Sequence, residues 1–366
     1  MTAGGHGEAA GCARRHSANR RLLAPFLDAL REPGPDPAEL LPIADRLFRN
    51  RAPVHLAHPF ETLDGAEELL GTAFAPLIRA LPDLERRDTI VIEGADADGA
   101  DWVGCCGYYT GVFQRPWLDI PPTGHQIAMR FHEFFRIEDG KVAEMQALWD
   151  IPEVMMQSGA WPLSPSLGRE WQVPGPATQD GVMKPVAEES VPSRDADSSV
   201  KLVGDMLAHL GHFAKGGVAA MRLERFWHPH CSWYGPAGIG TCRGVAGFRN
   251  WHQIPFLNAM PDRVGSLGKG HLFGEGAYVG FTAWPGMRMS ISGDGWLGIA
   301  PAGQRLTMRS LDFWRVQDGL IRENWVLVDL LHVYHQIGVD VLARMRELTR
   351  ARRWASGGME PGALLP

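Results

Sequence analysis

Two aspartates stand where proton transfer could be run. Asp150 follows the strand-like run Lys141 to Trp149, Asp329 follows the matching run in the second half of the chain, and a helical pattern comes after each. A carboxylate held among apolar and aromatic side chains is desolvated, so its pKa rises and it can exchange protons near neutral pH. The same place also suits an N-cap, where the carboxylate accepts from the first N–H groups of the helix. With Pro152 early in its helix, Asp150 fits either role; Asp329 leans towards a pocket. A second concentration of reactive types is Trp227, His228, His230, Trp233 and Tyr234, followed by Gly235-Pro236-Ala237-Gly238, with His252, His271 and Tyr278 further on. These read either as a binding site or as an aromatic core with loop glycines. His228-Pro229-His230 has no Asp or Glu at ligand spacing, so no metal is expected there. Cys105-Cys106 has no histidine partner and reads as a pair of small buried hydrophobes.

The elements that must position these residues come in duplicate. The segment beginning at Trp117 recurs without a gap at Trp296, 179 residues on, and Gly65, Pro76 and Pro82-Asp83 recur as Gly244, Pro255 and Pro261-Asp262 at the same offset. Such a register marks two homologous domains. Each copy opens with helical spacing: Leu40, Leu41, Ile43, Ala44 and Leu47 in the first, Val203, Met206, Leu207, Leu210 and Phe213 in the second. A second helix is expected over 65–80 and 245–259. The period then falls to two, giving strands at 89–92, 102–113, 126–137 and 141–149, with hairpin turns at Asp139-Gly140 and Asp318-Gly319. A last helix spans 151–157 or 330–337. Helices followed by a long antiparallel meander predict an α+β fold, two tandem cone-shaped domains, each a strongly curved antiparallel sheet covered by helices. A two-residue turn at Asp139-Gly140 sets Asp150 opposite Met129 and Asp329 opposite Met308, with Arg130 and His132 on the other face; one β-bulge would reverse this.

The domain boundaries expected are a tail over 1–36, domain 1 over 37–170, a Pro-, Gly- and acid-rich linker over 171–199, domain 2 over 200–352 and a tail over 353–366. Leu22 to Leu30, after four arginines, is broken by Pro25 and Asp28, which makes a poor signal peptide and suggests a solvated tail or short docking helix. A formal net charge of −6 argues against a nucleic-acid partner, and no apolar run is long enough for a membrane span. Five cysteines, two of them adjacent, make no disulfide framework and fit a cytoplasmic protein.

The run PPTGHQIAMRFHEFFRIEDGKVAE, then Trp149-Asp150 and Gln157-x-Gly159, resembles the C-terminal half of SnoaL-like polyketide cyclases, members of the nuclear-transport-factor-2-like superfamily. The second copy resembles it through Glu323-Asn324-Trp325, Asp329 and Gln336-Ile337-Gly338, and Ala259 to Arg263 resembles a helix end of that family. The resemblance implies a cofactor-independent enzyme in which a pocket aspartate acts as general acid/base on a hydrophobic, carbonyl-bearing small molecule, in cyclisation, isomerisation, dehydration or hydrolysis. It carries the catalytic role to Asp329 and Asp150, and substrate contacts to Tyr234, Trp233, His252, His271, Tyr278, Arg309, Trp325, His132 and Tyr109. It also implies natural-product biosynthesis and sheet-to-sheet pairing of the two domains as an intrachain pseudo-dimer, with further self-association. In copy one Gln146 replaces Trp325, and Gly107 to Gly111 lacks the family's histidine, so copy two is expected to be the active one. The alternative is a non-catalytic binding or scaffold protein in which one or both domains are structural.

Overall fold

The computed structural model describes residues 4–182, 194–265 and 270–350. In domain 1, α2 (Pro37–Leu47) is followed by β1 (Pro53–His55), β2 (Thr62–Asp64), α3 (Gly65–Glu68), a π-helical stretch (Leu69–Phe74) and α4 (Ala75–Ala80). Then come β3 (Glu85–Ala95), β4 (Asp101–Val112), β5 (Gln126–Glu138), β6 (Lys141–Trp149) and α5 (Ile151–Gln157). Domain 2 repeats the plan with α6 (Arg194–Leu210), α7 (Phe213–Ala220), β7 (Trp227–Tyr234), β8 (Thr241–Arg243), α8 (Gly244–Phe248), a π-helical stretch (Arg249–Gln253) and α9 (Ile254–Ala259). It ends with β9 (Val264–Gly265), β10 (His271–Glu275), β11 (Tyr278–Ser290), β12 (Arg305–Gln317), β13 (Leu320–Val328), α10 (Leu330–Gln336) and α11 (Val341–Leu348). The sheets run β2-β1-β6-β5-β4-β3 and β10-β11-β12-β13-β7-β8, with β9 on β11. Both are antiparallel except where β1 meets β6 and β7 meets β13, parallel pairings that the meander alone did not predict.

Of the two readings of the N-terminal stretch, a solvated tail or a docking helix, the structure has a helix over Gly4–Arg31. Helix α1 (Gly4–Arg31) buries Leu23, Phe26, Leu27 and Leu30, whereas Pro25 and Asp28, which interrupt the apolar run, lie on its exposed side. Arg20 joins both domains, 2.5 Å from Glu275 and 3.5 Å from Glu93. The tail expected over 353–366 lies outside the described residues.

Both long hairpins carry the bulge that reverses the faces. The register slips between Arg136 and Ile137 and between Arg315 and Val316, setting Phe131 opposite Trp149 and Ser310 opposite Val328. Met129, Phe131 and Glu133 therefore face the hollow of the sheet, and Arg130, His132 and Phe134 face domain 2. The two sheets meet on that side. Phe134 stacks on Phe313 at 4.8 Å, His132 Nδ1 lies 2.7 Å from the Leu311 carbonyl, and Thr282 donates to Gln146 at 2.6 Å. Gly104 lets the sheets approach closely here: a Cβ would lie 3.0 Å from both Phe134 and Phe313, so the stacked rings would have to shift to admit one.

Candidate active site

Domain 2 is hollow. A cavity of about 130 Å³ opens inside the cone between α6, the π-helical stretch and the inner face of the sheet. Its walls are apolar and aromatic, including Trp233, Phe248, Phe256, Phe281 and Met308. Into it β12 directs Ser310, Asp312 and Trp314, alternate residues of one strand face. Asp312 is 8% exposed and stands between Phe281 on β11 and Val326 on β13. The Ser310 hydroxyl donates to its carboxylate at 2.7 Å. Burial pushes its pKa up to about 7, which the Ser310 hydrogen bond offsets only in part. His252 also lines the cavity, stacked on Trp233 at 3.9 Å, with no hydrogen-bond partner for Nδ1 among the described residues. Burial, reinforced by Arg263, lowers its pKa to about 3, so it is neutral at physiological pH. The indole N–H groups of Trp227 and Trp314, two more cavity residues, have no acceptor among the described residues. An apolar chamber with one protonatable carboxyl, one neutral imidazole and spare donors can bind a carbonyl and move a proton beside it.

The same volume in domain 1 is filled. Glu133, 179 residues before Asp312, accepts from Arg86 at 2.6 Å, Tyr109 at 2.9 Å and Trp149 at 3.1 Å. Arg86 lies 4.0 Å over the Phe131 ring, and Phe74 packs edge-on against Trp149 at 5.2 Å. At the 179-residue offset, Phe74, Arg86, Phe131 and Trp149 become Gln253, Gly265, Ser310 and Val328, all of which line the domain 2 cavity. Tyr109, opposite Met129, is matched by Met287, opposite Met308. Side chains that plug the first cone are thus replaced by smaller or uncharged ones in the second.

Of the residues proposed from sequence, Trp233 and His252 line the cavity, and Tyr109 lies in the filled cone. The others belong to other places. Asp329 Oδ1 accepts from His332 N at 3.1 Å, capping α10, while Oδ2 accepts from Arg309 at 3.0 Å and from His58 N of domain 1 at 2.9 Å. Asp150 repeats this across the pseudo-twofold: Oδ1 caps α5 through Glu153 N at 3.3 Å and Oδ2 accepts from Ala237 N at 2.9 Å, with Arg130 3.5 Å away. The bulges bring both aspartates to the face that carries Arg309 and His132, which lies at the seam between domains and not in a cone. His132 is fully buried there, and burial drives its pKa well below the usual value. Tyr234 donates to Glu323 at 3.1 Å, Trp325 donates to the Pro174 carbonyl at 2.9 Å, and Tyr278 donates to Asp180, so these three face the linker side. His271 pairs with Asp96 of domain 1 at 2.6 Å. Cys105 and Cys106 are buried, their thiols pushed up to about 12 by burial. Sequence reasoning missed Asp312; its signal was an acid in the same place in both copies, Glu133 and Asp312, each directly before two aromatic residues, Phe134-Phe135 and Phe313-Trp314.

No three His, Cys, Asp or Glu side chains among the described residues converge to hold a metal, and no described helix is long and apolar enough to cross a membrane. A search of curated proteins returns no significant match. Among solved structures, IdmH of Streptomyces antibioticus is 19% identical over 38% of this chain and 98% of its own, with a TM-score of 0.32. A SnoaL-like protein of Jannaschia sp. CCS1 is 23% identical over 38% and 91%, and TsrD of Streptomyces laurentii 22% over 39% and 96%, both with a TM-score of 0.32. The sequence model for SnoaL-like polyketide cyclases matches twice, over residues 41–158 and 218–337, one match in each of the two domains. With both repeats matched, the chain belongs to the SnoaL-like polyketide cyclase family, as a tandem member.

Proposed function

We propose that domain 2 is a cofactor-independent acid/base enzyme acting on a hydrophobic, carbonyl-bearing small molecule, and that Asp312, not Asp329, moves the proton. The observation that carries this reading is a buried carboxyl facing a hollow, with one hydroxyl as its partner and a pKa of about 7. Near neutral pH such a group is populated in both forms. As carboxylate it takes a proton from the carbon beside the carbonyl; as acid it returns that proton to the developing alkoxide or to the next carbon. The spare indole N–H groups of Trp227 and Trp314 suit an oxygen on which negative charge grows. Trp233 and His252 supply a flat stacking face. Aldol-type cyclisation, isomerisation and dehydration share this proton transfer, whereas in hydrolysis the carboxylate would take its proton from the attacking water; the family description favours cyclisation of a polyketide, and a cytoplasmic setting rests on the cysteine usage alone.

Domain 1, with its cone occupied by Arg86, Glu133 and Tyr109, serves in this reading as a structural partner, which keeps the scaffold alternative for that half alone. The test is carbon-bound proton exchange. Aromatic 1,3-dicarbonyl compounds are incubated with the full chain in D2O and followed by NMR. Wild type accelerates deuterium uptake at the acidic carbon; Asp312→Asn loses this while still binding the compound. Equal exchange by both proteins refutes the assignment.

A further inference from the structure

Among the described residues, every buried arginine has a carboxylate partner. Arg20, Arg86, Arg130, Arg309 and Arg315 are all buried, and each has a carboxylate oxygen within 3.5 Å: Glu275, Glu133, Asp150, Asp329 and Glu323 respectively. Arg263, half-buried, lines the cavity of domain 2 and has no ion-pair partner among the described residues. Its contacts are weak for a guanidinium. Nη1 lies 3.6 Å from the Met287 sulfur, Nη2 lies 3.3 Å from the Leu210 carbonyl, and the buried Nε has no acceptor. The adjacent acid is turned away, since Asp262 accepts from Ser290 N at 2.9 Å and from its hydroxyl at 2.5 Å. Burial alone shifts the guanidinium, downward, with no acid opposing it. The matching residue of the filled cone is Leu84, fully buried. Among the described residues, a cation without a counterion thus lines the hollow cone where the filled cone has a leucine.

Its position relative to Asp312 matters. Asp312 and Arg263 line the same cavity without forming an ion pair, the Asp312 carboxylate taking its hydrogen bond from Ser310. The two groups accordingly serve separate ends of one ligand. We propose that Arg263 is the specificity residue of this cavity and that the substrate carries a free carboxylate, bound by Arg263, at a distance from the carbonyl that reacts at Asp312. Only the placing of the carbonyl rests on the acid/base reading; the preference for an anion stands on Arg263. A substrate presented as an ester or amide would leave the guanidinium unpaired and bind poorly.

The experiment compares 2-naphthoate with methyl 2-naphthoate, titrated into the full chain at pH 7.5 and followed by quenching of the cavity tryptophans. Wild type binds the carboxylate about tenfold or more tighter than the ester. Arg263→Met loses that preference while its ester affinity stays within about twofold, which also reports an intact cavity, and Arg263→Lys keeps part of it. Where the methionine variant fails to fold, the wild-type preference and its shrinkage between low and high salt decide. Binding of neither probe, equal binding of both by wild type, or a preference that persists in Arg263→Met overturns the proposal. Asp312→Asn retains the preference, so a failure of the proton-transfer assignment leaves a separate signature.

Discussion

Asp312 makes a quantitative demand on stability as well as on chemistry. Its carboxyl has a pKa of about 7 in the fold against an ordinary 3.8. Between those values the folded state binds more protons than the unfolded state, so stability falls as pH rises and levels off above about 7. The gap is worth about 4 kcal/mol in full at 1.36 kcal/mol per pH unit. Asparagine keeps the shape and a partner for Ser310 but never ionises. All other titrating groups are common to both proteins, so the difference between them isolates this one carboxyl. Urea unfolding of wild type and Asp312→Asn, at pH 5 and pH 8, is the assay. The variant gains about 2–3 kcal/mol on wild type between those two pH values, roughly the part of the gap that lies in that window. A difference that does not change with pH would mean that Asp312 is well solvated or paired, and the case for it as acid/base would collapse with it.

Other perturbations separate the parts of the molecule. Arg86→Met strands Glu133 in the filled cone and should cost about 3–5 kcal/mol in urea unfolding, with part of the loss recovered in the Arg86→Met, Glu133→Gln double variant; a cost below about 1 kcal/mol would show that the plug is not an ion pair of consequence. Asp329→Ala removes the acceptor of His332 N, His58 N and Arg309, so it should lower stability by about 3 kcal/mol yet leave ligand affinity in the second cone unchanged; a selective loss of ligand would restore Asp329 to the site. His252 has a folded pKa of about 3, below its ordinary 6.5, so the unfolded state takes the proton first and stability is lost as pH falls below 6.5. His252→Gln should remove about 3 kcal/mol of that loss at pH 4.5, read as a flatter stability curve on the acid side; an unchanged curve would mean the imidazole titrates freely in the folded protein.

The sequence carried the fold because the fold rests on periodicity. The 179-residue repeat, the switch from helical to alternating spacing and the two Asp-Gly turns fix both domains without reference to any single contact. The side of the sheet on which a residue lies is another matter. It depends on the slips at Arg136/Ile137 and Arg315/Val316, and a bulge of this kind needs no glycine or other marker residue, so nothing in the letters announces it. One slip in each hairpin moved Asp150 onto the Arg130 face and Asp329 onto the Arg309 face, which meet at the seam, and left Glu133 and Asp312 on the hollow side without them. The features that the two copies share then acquire a physical reason: a sheet-on-sheet pseudo-dimer needs the same pin twice, and Asp329 with His58 N repeats Asp150 with Ala237 N. What opens a site is the opposite property. A cavity exists only where one copy has given up volume and charge that the other retains, as Phe131 to Ser310, Trp149 to Val328 and Arg86 to Gly265 do around an acid that both copies keep. In a duplicated chain the pairs that match therefore report assembly, and the pairs that differ in size around a matched acid report where a substrate can enter.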